Sequence, residues 1–235
     1  MMNDESQNIA DLREALEFSR YVGICNAIEA LRTTMPPELA KEVLDRAADT
    51  FDQWDRSQIL LALARHLPDA LFTEALELAA RQNDPDIGNR DHVLVALASR
   101  FSDGYLPLIL DVARRTEGPD ERVVALTRLL PLMPSILPEA VATANLPAVH
   151  AATRAWAFGK FVLQDASLAA EALAAIAANP VETERASMLT AVLGSLDDQH
   201  IPAVSAILAT VPTATFREPL LKALKARFPD VIWFP

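Results

Sequence analysis

An arginine stands at the head of an apolar run six times in this chain. Arg56, Arg90, Arg122, Arg154, Arg185 and Arg217 are separated by 34, 32, 32, 31 and 32 residues. With each arginine as position zero, position +4 is Leu60, Leu94, Leu126, Phe158, Leu189 and Leu221. Position +7 is Leu63, Leu97, Leu129, Phe161, Val192 and Leu224, and position +3 is Ile59, Val93, Ala125, Ala157, Met188 and Leu220. Spacings of three, four and seven draw one apolar stripe down a helix. Recurrence at this period marks stacked supersecondary units, each too small to bury its own apolar face.

A second helix is expected in most units, in "DALFTEALELAA" from 69, "DGYLPLILDVARR" from 103, "PSILPEAVATA" from 134 and "ASLAAEALAAIAA" from 166. Pro68 and Pro134 mark the turn between the paired helices. An earlier unit fits from Cys25 to Ala48, with Ile24 where the arginine would stand. Residues 4–19 read as a lone leading helix, and no useful stretch alternates with period two. The expected fold is therefore all-α: a right-handed α-α superhelix (α-solenoid) of about six helix-pair repeats of ~32 residues with terminal half repeats. It is expected as a single domain over 1–235, with a cap helix at 1–19, repeats at 20–229 and an apolar tail at 230–235. The last unit has a first helix ending near Phe228 and then only "VIWFP". That tail is expected to fold back as a cap over the last helices, or else to bury itself in a second copy of the chain.

The arginines call for an explanation, because a cation in a first helical turn opposes the helix dipole. Asp55, Asn89, Asp120, Thr153, Thr183 and Thr215 lie one or two residues before them and are expected as N-caps. At 100° per residue the arginine points to the apolar side. The preceding loops carry Asp49 and Asp52, Asp84 and Asp86, Glu117 and Asp120, and Glu182 and Glu184. These suggest a structural ladder in which each guanidinium braces a loop or cap of a neighbouring unit through forked hydrogen bonds. The functional alternative is a row of anion-binding cations.

With the pattern "RxxxLxxLaxxLP…eALxxA" in view, the units resemble HEAT-type or armadillo-like helical repeats. More closely, they are similar to the Arg- and Leu/Ala-rich repeats of C-terminal arrays in bacterial signal-transduction (STAND-type) NTPases. The resemblance covers roughly residues 20–229. It implies a superhelix of antiparallel helix pairs that binds other proteins. There is no G-x-x-x-x-G-K-[ST] loop, so no nucleotide site carries over and no cofactor is expected.

Composition narrows the function classes. Hydrophobic residues make up 51%, ample for a core, and Gly is only 6, which leaves little hairpin chemistry. The net charge of -11 repels phosphate backbones and weighs against nucleic acid as a partner. One cysteine, Cys25, excludes an intramolecular disulfide and is expected as a buried, inert thiol. The opening residues are polar and acidic, unlike a signal or transit peptide. The richest apolar run, "ASLAAEALAAIAANPV", contains Glu171 and stops at Pro180, too short to span a membrane. A cytoplasmic protein is expected.

No G-x-S-x-G or H-E-x-x-H occurs, and His66, His92, His150 and His200 lie in separate units. No metal site and no catalytic residue is expected. "NDPDIGNRD" starts like a calcium loop at Asp84, Asp86 and Gly88, but its twelfth position is Val95. One spot departs from the repeat. Position +6 is Ala62, Ala96, Ala191 and Ala223, but Arg128 and Lys160 in two adjacent units. Position +2 in successive units is His92, Val124 and Trp156. His92, Arg128, Trp156 and Lys160 are thus candidate partner-binding residues, one aromatic and cationic patch. The other reading has the cations snorkelling from the surface while Trp156 fills space left by Gly159.

The function expected from these features is non-enzymatic: a protein-binding adaptor, sensor or regulatory subunit, monomeric, with a homodimer through the C-terminal end as the alternative. An acidic inhibitor or immunity protein for a basic partner such as a nuclease is the second reading. A divergent HEAT-like DNA glycosylase or other nucleic-acid enzyme is the third.

Overall fold

The computed structural model describes residues 4–18, 20–81, 90–101 and 104–233, and all regular structure among them is helical. The chain forms two compact units, residues 1–121 and 122–235.

The first unit holds α1 (Asp4–Phe18), α2 (Tyr21–Glu29), α3 (Pro37–Asp49), α4 (Gln53–Ala64), α5 (Phe72–Ala80), α6 (Arg90–Arg100) and α7 (Leu106–Arg114). The division falls inside α8 (Pro119–Leu129). Within this unit α2, α4 and α6 pack in succession as one row, and α3, α5 and α7 as a second. α1 lies on α2 and α3 and buries Leu12 and Ala15 there. α2 and α4 run side by side in the same direction. At their C-terminal ends His66 Nδ1 lies 2.8 Å from the Thr33 carbonyl, and the Met35 amide donates to the His66 carbonyl at 2.9 Å.

The second unit continues with α9 (Leu137–Ala144), α10 (Ala151–Gln164), α11 (Ala169–Ala178), α12 (Glu182–Val192), α13 (Ile201–Ala209) and α14 (Ala214–Arg227). Here α10, α12 and α14 pack in succession, and α11 packs on α13. α13 had no counterpart among the expected second helices. Its large apolar residues, Ile201, Val204, Ile207 and Leu208, lie on one face, and the last three are buried.

The apolar stripe is the core. Ile59, Leu60 and Leu63, Val93, Leu94 and Leu97, Ala125, Leu126 and Leu129, and Ala157, Phe158 and Phe161 are all buried. Met188 and Leu221 are half-buried, so the stripe narrows in α12 and α14. Aromatic rings fill the widest spaces: Phe72 meets Phe101 at 4.9 Å and Tyr105 at 4.2 Å between centroids.

Helix entries follow a simple chemistry. Asp165 accepts from the Ser167 amide, and Asp197 accepts from the Gln199 amide and forms a capping box with His200. α5, α9, α11 and α13 are entered through 3-10 turns, at Asp69–Leu71, Pro134–Ile136, Ala166–Leu168 and Asp198–His200. The expected N-caps beside the arginines are corrected by these boundaries. Asp55, Asp120, Thr153, Thr183 and Thr215 all lie inside their helices, and Asn89 falls outside the described residues. The helices begin earlier, capped at Asp52, His150, Val181 and Thr213. Only Asp52 caps with its own side chain, accepting from the Asp55 amide at 3.1 Å.

Beyond α14 the chain turns back. The Val231 amide donates to the Phe228 carbonyl, and Trp233 is buried with its ring 6.1 Å from that of Phe228. Ile232 points outward and is 80% exposed, so one aromatic side chain does the covering. Phe234 and Pro235 lie outside the described residues.

Candidate partner-binding surfaces

In α4, α8, α10, α12 and α14 the repeated arginine is the fourth residue of the helix. Ile24 occupies the same place in α2 and is buried. At this position the backbone amide closes the first turn onto the N-cap carbonyl, as in Arg56 to Asp52 at 3.0 Å and Arg154 to His150 at 2.9 Å. The side chain reaches back to the end of the preceding helix. Arg56 donates to the carbonyls of Ala47 at 3.2 Å and Thr50 at 2.6 Å. Arg154 donates to those of Ala144 at 2.9 Å, Leu146 at 3.0 Å and Val149 at 3.2 Å. Arg185 joins two ends, taking the Asn179 carbonyl at 2.7 Å and, past α13, the Thr210 carbonyl at 2.6 Å. Arg90 donates to the Thr116 hydroxyl at 3.2 Å, just past the end of α7. Arg122 and Arg217 are half-buried at the same helix position.

The loop acids do not receive the guanidinium donors of Arg56, Arg154 and Arg185. Those donors go to carbonyls at or just past helix C-termini, and Arg185 Nε also to the Thr210 hydroxyl at 3.1 Å, where orphan acceptors and the negative end of the dipole both attract a cation. The acids take other work. Glu182 accepts from the Thr213 amide at 2.8 Å and hydroxyl at 3.0 Å, capping α14 from the neighbouring helix. Glu184 accepts from the buried Asn179 side chain at 2.9 Å. Arg90 is the exception. Burial pulls its pKa down, and Glu121, Glu117 and Asp91 oppose that pull.

Of the four patch residues, three belong to the second unit. The Arg128 guanidinium lies over the Trp156 ring at 5.8 Å from its centroid, close to the limit for a cation–π contact. Arg128 and Trp156 are half-buried, and Lys160 is exposed one helical turn beyond Trp156. His92 is in the first unit, exposed, with Nε2 4.0 Å from the buried Asp91 carboxylate. A Cβ at Gly159 would meet only Val192 Cγ1, at 3.8 Å. Trp156 therefore does not fill that space.

Two surface features escaped the sequence pattern. The first is a groove of about 310 Å³ between α5 and α7. Leu76, Ala80, Leu108 and Val112 make it apolar, and the pairs Glu77–Arg81 at 3.8 Å and Asp111–Arg115 at 2.7 Å rim it. Each pair is spaced i,i+4 and could have been read from the sequence. That the two helices flank one groove could not. The second is the distribution of charge. Residues 1–121 carry 23 Asp and Glu against 12 Lys and Arg, a net -11, whereas residues 122–235 carry nine of each. The whole net charge belongs to the first unit.

Nothing brings the histidines into a ligand set. His66 meets a carbonyl and His200 lies 2.7 Å from the Asp197 carboxylate. Among the described residues no group of three or more His, Cys, Asp or Glu is placed to hold a metal ion. Asp84, Asp86 and Gly88 of the calcium-like stretch lie outside them. Cys25 is half-buried rather than buried. Burial, with Glu29 and Asp55, pushes its thiol up to about 11. No described helix is long and apolar enough to cross a membrane. No family model, curated protein or solved structure matches the chain.

Proposed function

We propose that the protein is a non-enzymatic protein-interaction module, an adaptor, sensor or regulatory subunit of the cytoplasm, built as a right-handed solenoid of about six HEAT-like repeats. The groove between α5 and α7 carries this reading. Apolar surface is left open between two second-row helices, with Leu108 48% exposed at its edge and paired charges at its rim. An apolar floor with a polar rim is the anatomy of an interface. Arg56, Arg154 and Arg185 are occupied with helix ends, which supports a scaffold role for the repeated arginines, and the patch at Arg128, Trp156 and Lys160 is a secondary contact. Affinity capture with immobilised protein tests the proposal. Leu108→Asp should abolish enrichment of a specific partner without changing the melting temperature, and Lys160→Glu should weaken it. Unchanged capture by Leu108→Asp would sink the groove as the interface.

The confinement of the net charge to residues 1–121 favours a second reading, an acidic inhibitor of a basic partner. Salt separates the two. An inhibitor steered by charge loses association rate steeply between about 0.05 and 0.5 M salt, and an apolar groove does not.

A further inference from the structure

The turns that lead into α2 and α4 expose large apolar side chains. Phe51 is 98% exposed, Phe18 76%, Val22 50% and Trp54 46%. Val22 and Trp54 occupy equivalent places, the second residue of two parallel, adjacent helices. The two turns adjoin at one edge of the first unit. Burial and Asp52 push the Asp55 carboxyl up, and Arg20, the N-cap of α2, pulls it back, so Arg20 stands near Asp55 across the two helix starts. Asp55 likewise reaches Cys25 on α2.

None of the four apolar side chains belongs to the repeat stripe, and the core does not use them. The chain around them is acidic. Residues 17–22 and 49–55 hold Glu17, Asp49, Asp52 and Asp55 against the single cation Arg20. This edge lies on the unit that carries the entire net charge of -11. An exposed apolar patch rimmed mainly by carboxylates suits a partner of the opposite sign. Aromatic faces beside carboxylates also favour cations directly, through the ring quadrupole.

We infer that the edge formed by Phe18, Val22, Phe51 and Trp54 docks a basic, amphipathic segment of another protein, in which apolar side chains alternate with Lys or Arg. This rests on the reading of the chain as a protein-interaction module and adds a second surface, apart from the α5–α7 groove. The apolar side chains of the segment cover the aromatic rings, and its cations face Glu17, Asp49, Asp52 and Asp55. A purely basic partner leaves the rings uncovered, and an acidic amphipathic one is repelled.

Three short synthetic peptides test this by fluorescence anisotropy at about 0.15 M salt: one of Lys and Leu in helical spacing, its Lys/Ser counterpart and its Glu/Leu counterpart. The Lys/Leu peptide should bind, the Lys/Ser peptide about tenfold or more weaker, and the Glu/Leu peptide not at all. Phe51→Ser with Trp54→Ser should weaken the Lys/Leu peptide about tenfold or more while melting stays unchanged. Asp49→Asn, Asp52→Asn and Asp55→Asn together should weaken it and flatten its salt dependence, the Asn at 52 preserving the helix cap. Hydrogen exchange of the wild-type chain with this peptide should protect residues 17–24 and 49–56. Equal binding of the Lys/Leu and Lys/Ser peptides would overturn the proposal, as would wild-type affinity in the aromatic double variant or protection elsewhere. Self-association of the free chain relieved by Phe51→Ser and Trp54→Ser would overturn it too, by assigning the edge to a second copy. Leu108→Asp keeps the two proposals apart, since it disturbs the groove and should leave peptide binding at the edge intact.

Discussion

At the scale of single residues, Arg56, Arg154 and Arg185 each reach back to carbonyls at the end of the preceding helix. Arg154 satisfies the carbonyls of Ala144, Leu146 and Val149 at once. Arg154→Ala should therefore cost about 1–3 kcal/mol in equilibrium unfolding, because those acceptors lose their donor. Arg154→Lys should recover little of it, since an ammonium cannot span a fork of acceptors. Cys25 gives a pH signature. Its thiol is pushed from an ordinary 9.0 to about 11, so the folded chain favours the protonated form. That preference is fully present below pH 9 and is lost as pH rises toward 11. Denaturation midpoints should fall across that window in the wild type more than in Cys25→Ser. Thiol alkylation near pH 8 should be about 100-fold slower in the folded than in the unfolded chain, following the thiolate fraction. Wild-type labelling at the unfolded rate would show that the burial around Cys25 is not maintained in solution.

At the scale of elements, the helices were legible wherever a stripe met a proline or a polar turn. α1, α4, α10 and α11 fall close to where the register puts them. The starts were not legible. Threonine and aspartate near an arginine look like caps, but Thr153, Thr183 and Thr215 are within the first turn, and the chain enters those helices through His150, Val181 and Thr213. Where the local cap is missing, a neighbour can supply it, as Glu182 does for α14 from 31 residues away. Sequence proximity cannot show such a cap, because it forms only when two helices lie side by side. Gly159, inside α10, has room for a methyl group beside Val192. Gly159→Ala should raise stability by about 0.5–1 kcal/mol through helix propensity, read as a higher melting temperature. A fall instead would mean that α10 and α12 approach more closely than that.

At the scale of the whole molecule, the C-terminal segment closes the second unit with Trp233 laid against Phe228. Its indole Nε1 is buried without a hydrogen-bond partner, so the contact is held by apolar area against that cost. Trp233→Ala should destabilise the protein by about 2–4 kcal/mol. Deleting residues 231–235 should do the same and promote association, visible by sedimentation, by uncovering Phe228 and the apolar side of α14. A truncated chain that stays equally stable and equally monomeric would show that the covering is dispensable. The charge division between the units belongs to this scale as well. It could have been counted from the sequence, but no composition shift or linker marks a place to divide the count.

The sequence alone determined the secondary-structure class, the period near 32 residues and the core stripe, because each depends on spacing along one helix. It also singled out the arginines as repeat-bearing. Tertiary structure decided what those arginines hold, because helix-end carbonyls are invisible in a residue string while loop carboxylates are conspicuous in it. It decided that Gly159 has room for a methyl group beside Val192, that Trp233 is covered while Ile232 is not, and that α5 and α7 part to leave a groove. It also brought the starts of α2 and α4 together, with Arg20 near Asp55. Each of these turns on which faces of different helices meet, and that is set by packing across the pair rather than by order along the chain.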